Sequence, residues 1–127
     1  MERQSTKAPE GIWTVDAEGK TLFANESMAQ LLGTTVDDLL GKPSFDYVFP
    51  EDVPAAQRLF ESKSRGDMHS FDFRLRRKDG TAVWVNVQGT PMHDPSGQFR
   101  GIIGTFRSKR GKTLERRLKS REAAADI

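Results

Sequence analysis

Few side chains in this sequence could perform acid–base or metal chemistry. Two pairs of adjacent acids and two histidines make up the set: Asp37-Asp38, Glu51-Asp52, His69 and His93. Neighbouring carboxylates can share a proton or hold a cation, and an imidazole can bind a metal. Both acidic pairs, however, fall in the first turns of predicted helices, where the helix dipole stabilises negative charge. We interpret them as helix-terminal charges, place the histidines at solvated strand ends, and predict no catalytic residue.

The composition removes several further classes of chemistry. The 127 residues include no cysteine, which excludes disulfides, thiolate zinc sites and a catalytic thiol. The sequence contains no P-loop, no G-x-G-x-x-G motif and no defensible Ser-His-Asp arrangement. It has neither a signal-peptide core nor the roughly 20 consecutive apolar residues of a membrane span. We therefore expect one cytoplasmic domain with no membrane contact within this chain.

The charge of the chain is unevenly distributed. The segment from Arg107 to Arg121 has eight basic residues and one acid, although the whole chain carries only +2. A basic tail can bind nucleic acid or anionic lipid, but such runs are more often solvated helix faces or linkers. We favour the linker interpretation. Nucleic-acid binding stays a less favoured alternative, because the body offers no recognition helix or aromatic RNA platform.

The first half of the sequence predicts a β-hairpin followed by short helices. Strands at 12–15 and 21–24 flank the turn "DAEG". Helical periodicity follows over 25–33, 34–42 and 50–66, with a one-turn piece at 43–49. Asn25 and Thr35 are suitable N-caps. The apolar spacing predicts that these residues are buried: Met28, Leu31, Leu32, Val36, Leu39, Leu40, Val53, Ala56, Leu59 and Phe60.

At Phe71 the spacing of apolar residues changes from a period of 3.6 residues to a period of 2 residues, which predicts strands. Phe71, Phe73 and Leu75 alternate with polar residues up to the hairpin turn Asp79-Gly80. Valines at 83, 85 and 87 then alternate with Trp84, Asn86 and Gln88. A third strand spans 99–107. The element order predicts an α+β fold, a five-stranded antiparallel sheet with short helices on one face and a C-terminal exit helix.

The two faces of this sheet predict two candidate sites. The inner face could enclose a small apolar ligand, with Gly89 and Gly104 leaving space; the alternative is a closed core filled by the same side chains. The candidate pocket residues are Phe60, Phe71, Phe73, Val85, Val87, Ile102, Gly104 and Phe106. The outer face carries a large aromatic, which we expect to be covered by the N-terminal lead-in, the C-terminal helix or a second subunit. The candidate interface residues are Trp84, Asn86, Leu114 and Leu118.

The ordered motifs resemble those of a PAS (Per-ARNT-Sim) domain. They are the D-x-x-G hairpin, the Asn-capped helix, "FPED", "RKDGT" and "GIIG", and the resemblance covers about 11–107. Similar domains occur in bacterial sensor histidine kinases and diguanylate cyclases. The resemblance implies a sensory module that forms a homodimer and relays a ligand- or partner-induced change through its C-terminal helix to an effector domain. It divides the chain into a lead-in (1–10), the sensory domain (11–107) and a basic signalling helix (108–127).

The resemblance also bears on cofactors and on the exit from the last strand. Haem-binding members use a histidine on the long helix, where this chain has none, and photoactive flavin members need a cysteine. We therefore predict no cofactor, and no enzyme activity in this chain itself. A noncovalent flavin stacked on Trp13, or haem, stays open as an alternative redox or gas sensor. The D-I-T-type triplet that often follows the last strand is replaced here by Ser108, Lys109 and Arg110.

Overall fold

A computed structural model describes residues 10–109 of the chain. Its core element is a five-stranded antiparallel sheet with the spatial order β2-β1-β5-β4-β3. The strands are β1 Gly11–Asp16, β2 Thr21–Ala24, β3 Phe71–Arg76, β4 Ala82–His93 and β5 Phe99–Ser108. The last strand lies in the centre and joins the two hairpins, so the predicted α+β class is confirmed. The predictions for the lead-in and for the C-terminal helix, including Leu114 and Leu118, lie outside the described residues.

The first two helices between the hairpins begin directly after their predicted N-caps, whereas the third begins at 53 and not at 50 as predicted. They are α1 Glu26–Leu31, α2 Val36–Leu39 and α3 Val53–Ser64, with 3₁₀ turns at Ser44–Tyr47 and Pro50–Asp52. The Asn25 side chain accepts a hydrogen bond from the Met28 amide at 2.9 Å, and Thr35 accepts one from the Asp38 amide at 3.1 Å. Each bond satisfies one of the free amides of a first helical turn.

The α1–α2 end of the helix layer is fully packed against the sheet. Met28, Leu32 and Leu39 are completely buried. Leu40, in contrast, is 42% exposed, so the prediction that it belongs to the buried face is wrong. The reason is that α2 ends at Leu39 and Leu40 has extended backbone angles (φ −61°, ψ 131°), so helical spacing no longer directs its side chain inward.

The β3–β4 hairpin holds both ends of the helix layer. At its tip the Lys78 amide donates to the carbonyl of Leu32 at 2.9 Å, and Arg77 Nε donates to the carbonyl of Leu31 at 3.1 Å. These bonds satisfy carbonyls that the end of α1 leaves without helical partners. Arg74, on the edge strand β3, reaches the residues before α3, where its Nε donates to Asp52 Oδ2 at 2.9 Å. The hairpin therefore sets where α1 and α3 lie over the sheet.

Candidate functional site

A cavity of about 120 Å³ lies between α3 and the inner face of the sheet. Its wall is almost entirely aliphatic and aromatic, with contributions from four of the five strands. The lining residues are Trp13, Val15, Ser44, Phe45, Val48, Ala56, Leu59, Phe60, Lys63, Phe71, Phe73, Leu75, Val87, Gly89, Ile102, Gly104 and Phe106.

Most residues of the predicted pocket meet at this cavity. The structure brings these members of the set to its wall: Phe60, Phe71, Phe73, Val87, Ile102, Gly104 and Phe106. Val85 points to the same face but is completely buried in the packed core and does not reach the wall. Gly89 and Gly104 also line the space, as the sequence predicts. The inner face is therefore not filled by its own phenylalanines.

The aromatic rings of the wall pack in edge-to-face and tilted pairs. Phe60 lies between Phe45 and Phe99, with centroid distances of 6.2 and 6.0 Å. Trp13 contacts Phe106 at 5.7 Å, and its Nε1 donates to Thr21 Oγ1 at 2.9 Å. The indole is only 4% exposed, so its single donor is satisfied inside the core. Such ring pairs stabilise the wall beyond the area they bury.

Lys63 is the residue that sequence reasoning missed. It is the only charged residue among the described residues that line the cavity, and it is 3% exposed. Its ammonium donates to the carbonyl of His69 and lies 5.2 Å from the centroid of Phe71. The sequence does contain a signal for its burial, because Lys63 follows Ala56 by seven residues and Phe60 by three, on the predicted buried face of the helix. A long aliphatic stem suits such a position.

The Lys63 stem lies directly over Gly89. A Cβ at this position would lie 3.5 Å from Cδ of Lys63, an ordinary van der Waals contact, and 3.2 Å from Cγ2 of Ile102, a tight one. The stem therefore packs against the backbone of Gly89, beside Ile102.

The two histidines do not reach the cavity wall. The His69 side chain is 94% exposed, and its Nδ1 lies 2.9 Å from Asp67 Oδ1. The His69 backbone amide, the Ser62 hydroxyl and the His69 ring hold the pKa of Asp67 well below its usual range. His93 contacts Phe99 edge to face at 6.1 Å. Within residues 10–109, no group of three or more His, Cys, Asp or Glu side chains could hold a metal ion.

The two acidic pairs are accounted for by structural contacts. Asp37 and Asp38 lie in the first turn of α2, and hydrogen bonds from Lys78 and Thr34 lower the pKa of Asp38. The carboxylates of Glu51 and Asp52 form ion pairs with Nη2 of Arg74, at 3.2 and 2.7 Å.

The outer face carries Trp84 and Asn86, both half-buried. Asn86 Nδ2 donates to Asp72 Oδ1 at 3.1 Å. Trp84 lies opposite Arg74 in the β3–β4 pair, and its carbonyl accepts from the Lys109 amide at 2.8 Å. Lys109 Nζ also pairs with Asp72 Oδ2 at 3.2 Å. Lys109, the second residue of the triplet that replaces the D-I-T-type motif, is thus bound to the β3–β4 hairpin by a hydrogen bond and an ion pair.

The cavity is small compared with known ligand sites. A dry cavity of about 150 Å³ is known to accommodate benzene, and drug-sized ligands need about 300 Å³ or more. The space beside α3 is close to the first of these volumes and well below the second. Its size is therefore of the order of one aromatic ring.

Comparison with known proteins agrees with this architecture. The family model of the PAS fold matches residues 1–108. The chain is 32% identical over 100 residues to an aryl hydrocarbon receptor nuclear translocator homolog of Drosophila melanogaster, a match that covers 76% of this chain and 15% of that protein. It is also 32% identical over 100 residues to the C4-dicarboxylate transport sensor protein DctS of Rhodobacter capsulatus, covering 75% of this chain and 15% of DctS.

A solved PAS domain from Colwellia psychrerythraea has the same fold. Its TM-score is 0.73 at 21% identity, and the match covers 78% of this chain and 85% of that one. Within the part of this chain that the structure describes, no helix is long and apolar enough to cross a bilayer.

Proposed function

Because this chain belongs to the PAS family, whose members are sensory and non-catalytic domains, we propose that it is the sensory module of a larger signalling protein. A small ligand with an apolar body occupies the cavity beside α3. The module forms a homodimer and passes the change caused by the ligand through the segment after β5 to an effector such as a histidine kinase. The curated relatives support the larger context, since this chain matches only 15% of their length.

The observation that carries this proposal is that β5 lines the cavity and is the last element of the described residues. Ile102, Gly104 and Phe106 lie on the wall, and β5 ends at Ser108. A Cβ at Gly104 would lie 2.8 Å from the ring of Phe106, so the strand and this ring are in close contact. A ligand that moves Phe106 therefore acts directly on the strand that precedes the exit.

The relay requires a ligand that prefers one of two arrangements. A ligand shifts a conformational equilibrium only by the difference between its affinities for the two states. Here the two arrangements are α3 close to the sheet and α3 displaced from it. The second would alter the Lys109 bonds to Trp84 and Asp72, because these follow directly from β5. We propose the outer face with Trp84 and Asn86, together with Leu114 and Leu118, as the dimer contact.

Native mass spectrometry of the purified full chain tests both parts of the proposal. We expect a dimer that retains a small molecule. Ala56→Leu, which adds three carbons to the cavity wall, should remove the small molecule. Gln57→Leu, on the exposed side of the same helix, should not. A chain that retains nothing, together with the absence of any change in β5 amide exchange on addition of small aromatic compounds, would contradict the ligand proposal.

The dimer contact has its own variant in the same experiment. Trp84→Ala should shift the chain to monomer while the cavity still binds ligand. Thr90→Ala, an exposed position on the same strand, should leave the dimer intact. A Trp84→Ala chain that remains fully dimeric would show that the contact lies elsewhere.

A further inference from the structure

Lys63 is buried with more hydrogen-bond donors than it has partners. A lysine ammonium has three donors. Within residues 10–109, the carbonyl of His69 is the only hydrogen-bond acceptor that the amine reaches. The ring of Phe71, 5.2 Å away, compensates part of the charge. A buried cation with so few partners is costly to keep, and an unsatisfied buried donor usually has a functional or solvent partner.

The position of this cation is specific. The stem of Lys63 crosses the sheet over Gly89, and the residue lines the cavity at its Phe71 side. All its neighbours on the wall are apolar, apart from the hydroxyl of Ser44. The site therefore combines an apolar space for about one ring with a single positive charge at its edge. An apolar ligand alone would leave the two remaining ammonium donors without a partner.

We infer that the ligand of this cavity is a small monocarboxylic acid with an apolar body, whose carboxylate accepts hydrogen bonds from Lys63. This inference rests on the proposed function, because it names the chemical class of the ligand that the sensory cavity binds. The single cation matches a single carboxylate, and the apolar wall disfavours a second charge on the ligand. The His69 carbonyl keeps its bond to the third ammonium donor, so the ligand joins the existing contact without replacing it.

The inference is tested by comparing three probes on the full chain by NMR titration. Benzoate has both the body and the charge, toluene has only the body, and acetate has only the charge. A charge-assisted hydrogen bond in a buried site corresponds to about ten- to a hundredfold in affinity. We therefore expect benzoate to bind at least about tenfold more tightly than toluene, and acetate to bind more weakly than benzoate.

Lys63→Met removes the charge and keeps most of the stem. It should reduce benzoate affinity to that of toluene or below it, because the carboxylate then has no partner in the cavity, and leave toluene affinity unchanged or higher. Arg58→Met removes a cation from the exposed side of the same helix and should change neither affinity. Equal binding of benzoate and toluene to the unaltered chain would overturn the inference and leave the ligand cavity standing. Acetate binding as tightly as benzoate would also overturn it, because the site would then recognise a bare anion.

A second measurement does not depend on the variant folding. In the unaltered chain, nuclear Overhauser contacts from the ring protons of bound benzoate to the ε-methylene of Lys63 and to the ring of Phe71 are expected. Benzoate contacts confined to residues outside the cavity wall would refute the inference. If neither benzoate nor toluene binds, the proposed ligand cavity itself fails, and this result is distinct from a failure of the lysine contact alone.

Discussion

The two ends of the helix layer cover the same sheet in different ways. At the α1–α2 end, Met28, Ala29 and Leu32 are completely buried, and Met28 packs so closely on β1 that a Cβ at Gly11 would lie 2.8 Å from its Sδ. At the α3 end, Phe60 and Leu59 are only partly buried and border a cavity of about 120 Å³. The capping differs as well, since Asn25 caps α1 with its side chain, whereas Asp52 makes no side-chain cap for α3 and pairs with Arg74 instead.

This difference explains how one small domain can be both stable and responsive. Close packing at one end supplies the buried contacts that hold the sheet and helices together. The other end is held mainly by ring edges and by charged groups on the hairpin, which can rearrange at lower cost. Local opening is expected where buried apolar contacts are fewest. We therefore expect α3 to move on ligand binding while α1 stays fixed.

The largest expected effect comes from removing volume at the packed end. Leu32→Ala should destabilise the fold by about 2–5 kcal/mol, because truncating a fully buried leucine loses its transfer free energy and leaves a void. Urea unfolding followed by far-ultraviolet circular dichroism measures this change. Leu40→Ala, at a leucine that is 42% exposed, is the matched control and should cost well under about 1 kcal/mol. Equal losses for the two variants would contradict a packed α1–α2 end.

A second pair of variants adds the same volume at both ends. Ala29→Leu should cost about 1–3 kcal/mol, since a completely packed site has no room for three more carbons. Ala56→Leu should change the unfolding free energy by less than about 1 kcal/mol, because its side chain can extend into the cavity. Urea unfolding of both variants provides the measurement. If Ala56→Leu were the more damaging of the two, the cavity would not be real space.

The sequence predicted the layout of both ends but not the difference between them. Asn25, Thr35 and the turn Asp79-Gly80 carry local signals, and all of them proved to be where the pattern placed them. The apolar spacing of α1 and α3 is alike, however, and spacing does not report how completely two surfaces fill the volume between them. For that reason the same phenylalanines were consistent both with a closed core and with a pocket.

For two further residues, burial could not be predicted correctly from the local sequence. Lys63 fits the buried spacing of α3, but a charged residue is normally predicted at the surface. The sequence does not show that its stem is buried over Gly89. Leu40 fits the buried spacing of α2, yet the helix ends one residue before it. In both cases tertiary geometry overrides the prediction from residue type or period. The cover over Trp84 stays a prediction.

The smallest expected effect is a dependence on acid pH that should appear first at the α3 end. The pKa of Asp67 lies below its ordinary value of 3.8, chiefly because its carboxylate accepts the backbone N–H of His69 and also the Ser62 hydroxyl. A depressed pKa in the folded state means that this carboxylate stabilises the fold above pH 3.8, and that the stabilisation is lost as the pH falls through the folded-state pKa. The same segment contains His69, whose backbone carbonyl accepts a hydrogen bond from the Lys63 ammonium.

Asp67→Asn should therefore reduce the loss of stability that begins near about pH 5, where an unfolded aspartate starts to take up its proton, and that continues below about pH 3 to the folded-state pKa. Hydrogen exchange of the unaltered chain in that range should rise at residues 67–70 before it rises in α1. Asp38, whose pKa is lowered by Lys78 and Thr34, borders the α1–α2 end. There the buried Met28 and Leu32 should protect the amides of α1 from exchange. The exposed Glu61→Gln on α3 is the control. Exchange that rises in α1 first would reverse the assignment of the rigid and the responsive end.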